Sequence, residues 1–85
     1  MRLLWEDRAW DDYLYWQTQD KKTLKRINML VNDMKRHPFD GVGQPEPLKN
    51  GLSGFWSRRI DDKNRITYCV EGDFIYIIAC KEHYE

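Results

Sequence analysis

Between Pro38 and Gly54 lie three prolines and four glycines with no hydrophobic periodicity, and this break separates two stretches of different repeat length. Before it, apolar residues recur every three or four positions; after it, short apolar runs alternate with turn-forming clusters. A helical pattern followed by a strand pattern points to an α+β chain, with the helices gathered on one side of a sheet.

Met1 to Trp5 is short and apolar and reads as an opening strand. A helix is predicted from about Glu6 to Gln17. Ala9, Tyr13 and Trp16, flanked by Trp10 and Leu14, give it one broad apolar face, and Glu6 and Asp7 suit its positive N-terminal end. Asp20 is the predicted N-cap of a second helix, with Leu24, Ile27, Val31 and Met34 in a stripe and Leu30 beside it. His37-Pro38 ends that helix, because a residue before proline avoids helical angles. The two helices form an antiparallel hairpin. Beyond the Pro38–Gly54 surface loop, Phe55–Ile60, Arg65–Val70 and Phe74–Lys81 read as a three-stranded meander. Its turns are at Asp61-Asp62-Lys63-Asn64 and Glu71-Gly72-Asp73. The expected architecture is an N-terminal strand and an antiparallel helix hairpin packed on one face of an antiparallel β-sheet, with the other face left for binding.

With 85 residues the chain suits one domain, 1–85, and four tryptophans, five tyrosines and three phenylalanines supply core area. The longest apolar run, Phe74 to Cys80, falls far short of the roughly 18 residues of a membrane span. The N-terminus has no apolar signal region, so a soluble cytoplasmic protein with no membrane partner is expected. Cys69 and Cys80 read as reduced packing residues. The net charge is zero, yet residues 21–36 carry six basic groups against one acidic, and residues 1–20 carry two against five. A local positive face is compatible with overall neutrality.

The loop and sheet offer Glu46 and Lys49, then Arg58, Arg59 and Arg65, and at the tail His83 and Tyr84. For a phosphodiester the set is complete: a carboxylate takes a proton from an attacking hydroxyl, arginine pairs with phosphate oxygens, and histidine protonates the leaving oxygen. Attack by a ribose 2′-OH would make the substrate RNA and the first product a 2′,3′-cyclic phosphate. No metal or cofactor is needed for this chemistry, and the His, Cys and acidic positions show no metal-ligand spacing.

Each residue also has a plainer reading. Glu46, between Pro45 and Pro47, reads first as a solvated loop carboxylate, and the three arginines equally as edge charges that discourage strand-to-strand association. His83 and Tyr84 read as a polar strand end. The basic residues of helix two read first as its solvated face. Ser53 and Ser57 have no evident paired base. Register decides the rest. Arg59 and Arg65 share a face only if the intervening loop is odd in length or bulged. A two-residue turn at Gly72-Asp73 would set Arg65 opposite Cys80 with His83 on the other face, whereas a three-residue turn would set it opposite Ala79 and align it with His83.

The chain resembles the YoeB toxins of the RelE/ParE superfamily along essentially its whole length. The resemblance is carried by Trp10-Asp11-Asp12-Tyr13-Leu14-Tyr15-Trp16, Gly43-Gln44-Pro45-Glu46-Pro47-Leu48-Lys49, Leu52-Ser53-Gly54-Phe55-Trp56-Ser57-Arg58-Arg59-Ile60 and Ala79-Cys80-Lys81-Glu82-His83-Tyr84. Departures lie on helix two, in the strands from Arg65 to Ile78 and in the additional Glu85. The resemblance implies a RelE-like fold of the microbial-ribonuclease type and an mRNA interferase that cleaves the codon in the ribosomal A site without a metal. It implies Glu46 as general base, His83 as general acid, Arg65 as stabiliser of the phosphorane and Tyr84 as the residue positioning the nucleotide. Lys49 and Arg59 would be supporting phosphate contacts. The implied partners are ribosomal RNA, a second copy of the chain and a YefM-type antitoxin, with operator DNA reached only through the antitoxin complex. Two other functions compete: a topoisomerase poison like those of the ParE branch, and a non-catalytic corepressor that binds antitoxin or operator.

Overall fold

The computed structural model describes residues 1–49 and 51–82. Its elements run β1 (Arg2–Trp5), α1 (Asp7–Gln19), α2 (Lys21–Arg36), β2 (Glu46–Pro47), β3 (Phe55–Arg59), β4 (Arg65–Glu71) and β5 (Phe74–Ala79).

One residue joins the helices. Asp20 ends α1 by donating its N–H to Trp16 O (3.1 Å) and caps α2 through a carboxylate that accepts from Lys22 N, Thr23 N and Thr23 Oγ1. The Thr23 hydroxyl, then the backbone N–H groups, hold this carboxyl below its ordinary value. So short a link folds the helices back on each other, and Tyr13 reaches across to Asn28 at 2.6 Å. The apolar stripe of α2 is buried as the spacing predicts, through Ile27, Leu30, Val31 and Met34. From α1 only Ala9 and Trp16 are fully in the core, while the flanking Trp10 and Leu14 are exposed. Ile66 and Tyr68 of β4 and Ile75 and Ile77 of β5 complete the core from the sheet.

The sheet order is β1-β5-β4-β3-β2. It is mixed: the β3–β4 and β4–β5 pairs are antiparallel as expected, β2–β3 is a further antiparallel pair, and β1 runs parallel to β5, with Arg2 opposite Phe74 and Trp5 opposite Ile77. The reason is β2. Two residues of the expected loop, Glu46 and Pro47, pair with Ser57 and Trp56, so the chain reverses once more before β3. Three strands would have left the last one antiparallel to β1; four bring it alongside.

The start of the Pro38–Gly54 segment is fastened to the core by Arg58, which is fully buried. Its Nη1 donates to Asp33 Oδ2 (2.6 Å) and Val42 O (3.1 Å), its Nη2 to Asp40 O (2.7 Å) and His37 O, and its Nε to the Tyr68 hydroxyl (3.2 Å). All five guanidinium donors are thus used. Neither sequence reading of Arg58, edge charge or phosphate contact, survives. Strand alternation places it with Trp56 on the helix side, opposite Ile66. Gly41 is required beneath this clamp: at φ +111° a Cβ there would stand 2.2 Å from Asp33 Oδ2.

The turn at Gly72-Asp73 has two residues, since Glu71 faces Phe74. That alone is the register that would set Arg65 opposite Cys80. A bulge shifts it: Tyr68 faces Ile77 but Thr67 faces Ala79, so Ile78 is an extra residue. Beyond the paired strands Arg65 donates its N–H to Glu82 O at 2.9 Å, and Cys80 is not its partner. The position expected for His83 lies outside the described residues. Among the described residues no helix is long and apolar enough to cross a membrane.

Candidate active site on the open face of the sheet

The register builds a row across four strands: Glu46 opposite Ser57, Ser57 opposite Thr67, Thr67 opposite Ala79. One step along, Arg59 and Arg65 face each other directly, because the five residues between them make an odd loop. Alternation puts all of these on the face away from the helices. Arginines in direct cross-strand opposition repel, and the site relieves this with two carboxylates. Arg59 is drawn to Asp62 in the following turn, and Arg65 to Glu46, with Nη1 3.2 Å from Oε1.

The Arg65–Glu46 pair has an asymmetric setting. The arginine side chain is 20% exposed and the glutamate 55%. Although Nη1 lies within ion-pair distance of Glu46, it is buried and makes no aligned hydrogen bond among the described residues. A half-exposed carboxylate gives such a pair little net energy. The guanidinium thus sits partly buried on the sheet face beside a more exposed carboxylate. Beside it the same face opens into an apolar pocket of about 180 Å³ lined by Leu52, Phe55, Thr67 and Ile78.

Lys49 follows β2 and is exposed, and its carbonyl accepts from Leu52 N in the turn toward β3. Arg59 is half-buried; its N–H donates to Gly43 O (2.7 Å), and its carbonyl accepts from Arg26 Nη2 (3.0 Å). His83 and Tyr84 lie outside the described residues. The chain leading to them is tied down on both sides. On the helix side Asp12 accepts from Cys80 N (3.0 Å), Trp16 Nε1 donates to Cys80 O (2.8 Å), and Lys81 Nζ sits 4.0 Å above the Tyr15 ring. On the sheet side Asn64 Oδ1 accepts from Glu82 N at 2.7 Å. Burial raises the Asp12 carboxyl and pushes the Cys80 thiol up to about 12, which leaves Cys80 a packing residue with no thiolate at neutral pH. Cys69 is half-buried, and both cysteines are free. Among the described residues no three His, Cys, Asp or Glu side chains are grouped to hold a metal.

Sequence reasoning set Ser57 aside for want of a paired base, and its partner across β2 and β3 is Glu46 itself. The two-residue strand that creates this pairing has too little pattern to be seen, although Ser57 and Arg59 already share a face by alternation.

A family model for the YoeB-like toxin of bacterial type II toxin–antitoxin systems matches residues 5–84. The chain belongs to the YoeB toxin family. It is 55% identical over 84 residues to toxin YoeB of Escherichia coli K12, spanning 99% of this chain and 100% of the relative. Among solved structures it matches a YoeB/ParE toxin from Agrobacterium tumefaciens with a TM-score of 0.95 at 44% identity, covering 99% and 100% of the two chains. It also matches YoeB of Staphylococcus aureus, solved as a dimer (TM-score 0.91, 40% identity) and in complex with YefM (TM-score 0.89, 39% identity), in each case over 99% of this chain and 98% of that one. The fold shared with these YoeB toxins includes the open face that carries Glu46 and Arg65.

Proposed function

We propose that this chain is a ribosome-dependent endoribonuclease that cleaves mRNA in the A site by transphosphorylation. The observation that carries the reading is the Glu46–Arg65 pair on the open face, in which a half-exposed carboxylate lies beside a partly buried guanidinium whose Nη1 makes no aligned hydrogen bond among the described residues. Glu46 takes the proton of the ribose 2′-OH as that oxygen attacks the adjacent phosphorus. Arg65 pairs with the non-bridging oxygens and stabilises the charge that grows on them. His83 protonates the departing 5′-oxygen, giving a 2′,3′-cyclic phosphate and a 5′-hydroxyl. Tyr84 positions the nucleotide, and Lys49 and Arg59 contribute charge along the backbone. The pocket beside Phe55 offers a base an aromatic and aliphatic wall.

Dependence on the ribosome follows from how the site is assembled. Arg65 opens the seven-residue β4, Glu46 rides on a two-residue strand, and His83 follows the last strand in the sequence. Ribosomal RNA held against the exposed lysines of α2 would supply the alignment of 2′-OH, phosphorus and leaving oxygen that the protein leaves incomplete. A YefM-type antitoxin and a second copy of the chain are the partners proposed from the S. aureus relatives, with operator DNA bound through the antitoxin complex.

The test is a toeprint on translating ribosomes with wild type, Glu46→Ala, Arg65→Ala and His83→Gln. Codon-positioned cleavage by wild type and its loss in all three variants is the expected result. Topoisomerase inhibition that persists in every variant, with no toeprint, would replace this reading with that of a topoisomerase poison.

A further inference from the structure

Ser57 is 1% exposed, and its hydroxyl has no hydrogen-bond partner among the described residues. A buried hydroxyl without a partner costs stability, and an alanine would fit the same strand position without that cost. Its surroundings suggest what the hydroxyl is for. Ser57 is the direct cross-strand neighbour of Glu46, with Cβ atoms about 5 Å apart in such a pair, and the diagonal neighbour of Arg65. In the structure Arg65 supplies the positive partner of Glu46. A phosphodiester entering the site would compete for that guanidinium, and the carboxylate would lose this ion-pair partner as it is required to accept a proton.

We infer that Ser57 is a positioning residue for Glu46: when phosphate takes Arg65, the Ser57 hydroxyl donates to the Glu46 carboxylate and holds it toward the 2′-OH. The inference rests on the reading of Glu46 as general base. Ser57 touches neither substrate nor reacting atoms; it acts through Glu46. Serine suits the position because it can donate to the carboxylate without carrying a charge that would keep the phosphate's partner occupied.

The test compares wild type, Ser57→Ala, Ser57→Thr and Glu46→Ala in single-turnover cleavage of ribosome-bound message between pH 5 and 8. Ser57→Ala is expected to lower the cleavage rate about ten-fold, with the ribosome concentration giving half-maximal rate unchanged within about two-fold. A hydrogen bond to the ionised form favours ionisation, so its loss is also expected to move the acidic limb of the pH profile to higher pH. Ser57→Thr, which keeps the hydroxyl, is expected to restore both. Thermal unfolding supplies the control: Ser57→Ala is expected to melt at or above the wild-type temperature, because it removes an unsatisfied buried group. Loss of cleavage in Glu46→Ala together with wild-type rate and pH profile in Ser57→Ala would overturn the role of Ser57 and leave the general base standing. Parallel loss of melting temperature and rate in Ser57→Ala would reduce Ser57 to a packing residue and overturn it as well. Undiminished cleavage by Glu46→Ala would overturn the general base, and the inference with it.

Discussion

Arg58 and Arg65 sit on adjacent strands, one register step apart, and do opposite things. Arg58 faces the helices, is sealed from solvent and spends every donor on the protein; Arg65 faces outward, with one nitrogen buried and no aligned hydrogen bond to it among the described residues. The first arginine holds a loop in place; the second is the one proposed above to meet phosphate. Side-chain type is the same, and the pleat alone decides which role it takes.

The largest effect that could break this contrast is removal of the two charges in turn. Arg58→Met leaves Asp33, Tyr68 and three loop carbonyls without their donor, and is expected to cost about 3–5 kcal/mol in urea unfolding. Arg65→Met is expected to change stability by less than about 1 kcal/mol, since its partner is half-exposed, while abolishing ribosome-dependent cleavage. Comparable destabilisation by both variants would erase the distinction. Tyr68→Phe sharpens it on the structural side. The Tyr68 hydroxyl accepts from Arg58 and donates to Pro38 O at 2.7 Å, so its loss is expected to cost about 1–3 kcal/mol without altering the toeprint.

Acid provides a subtler probe of the same clamp. The Arg58 guanidinium, with help from Val42 N–H, holds the Asp33 carboxyl below its ordinary 3.8. A folded-state value below the unfolded one stabilises fully above about 3.8, and that contribution fades as pH falls through the folded value. Unfolding midpoints followed from pH 5 to pH 2 should therefore decline more steeply for wild type than for Asp33→Asn. The smallest effect is expected at Asp62. Its pairing with Arg59 is exposed, so Asp62→Asn should alter stability by no more than about 0.5 kcal/mol, visible as an almost unmoved melting curve.

The order strand, two helices and strands was legible because each element carries its own period and its own punctuation. Asp20 caps α2 as its position before Lys21 suggests, and the Leu24–Met34 stripe is the buried one. What escaped the sequence was set by distant pairing. A two-residue strand that follows one proline and ends on another has no periodicity of its own, so β2, and with it the parallel placement of β1, could not be read. The bulge at Ile78 depends on how β4 and β5 fit, which no local residue declares. Glu46 and Arg65 were visible as candidates, but their adjacency follows from the Ser57 and Ile66 registers. Arg58 and Arg59, side by side in a strand, had to face opposite ways. The Trp56 and Ile66 around Arg58 were the available clue that it was the inward one.

The strand order has a temporal side. β5 lies between β1 and β4, so the first strand made finds its partner only when the last strand of the sheet has been made. Because chains emerge from the N-terminus forward, β2, β3 and β4 can pair before β5 is made, whereas β1 must wait for it. Arg65 likewise receives its Glu82 contact only after the bulge at Ile78 has formed. A chain from which β5 has not yet emerged therefore has its helices and Glu46 in place but lacks the β4–β5 pairing beside which Arg65 is seated.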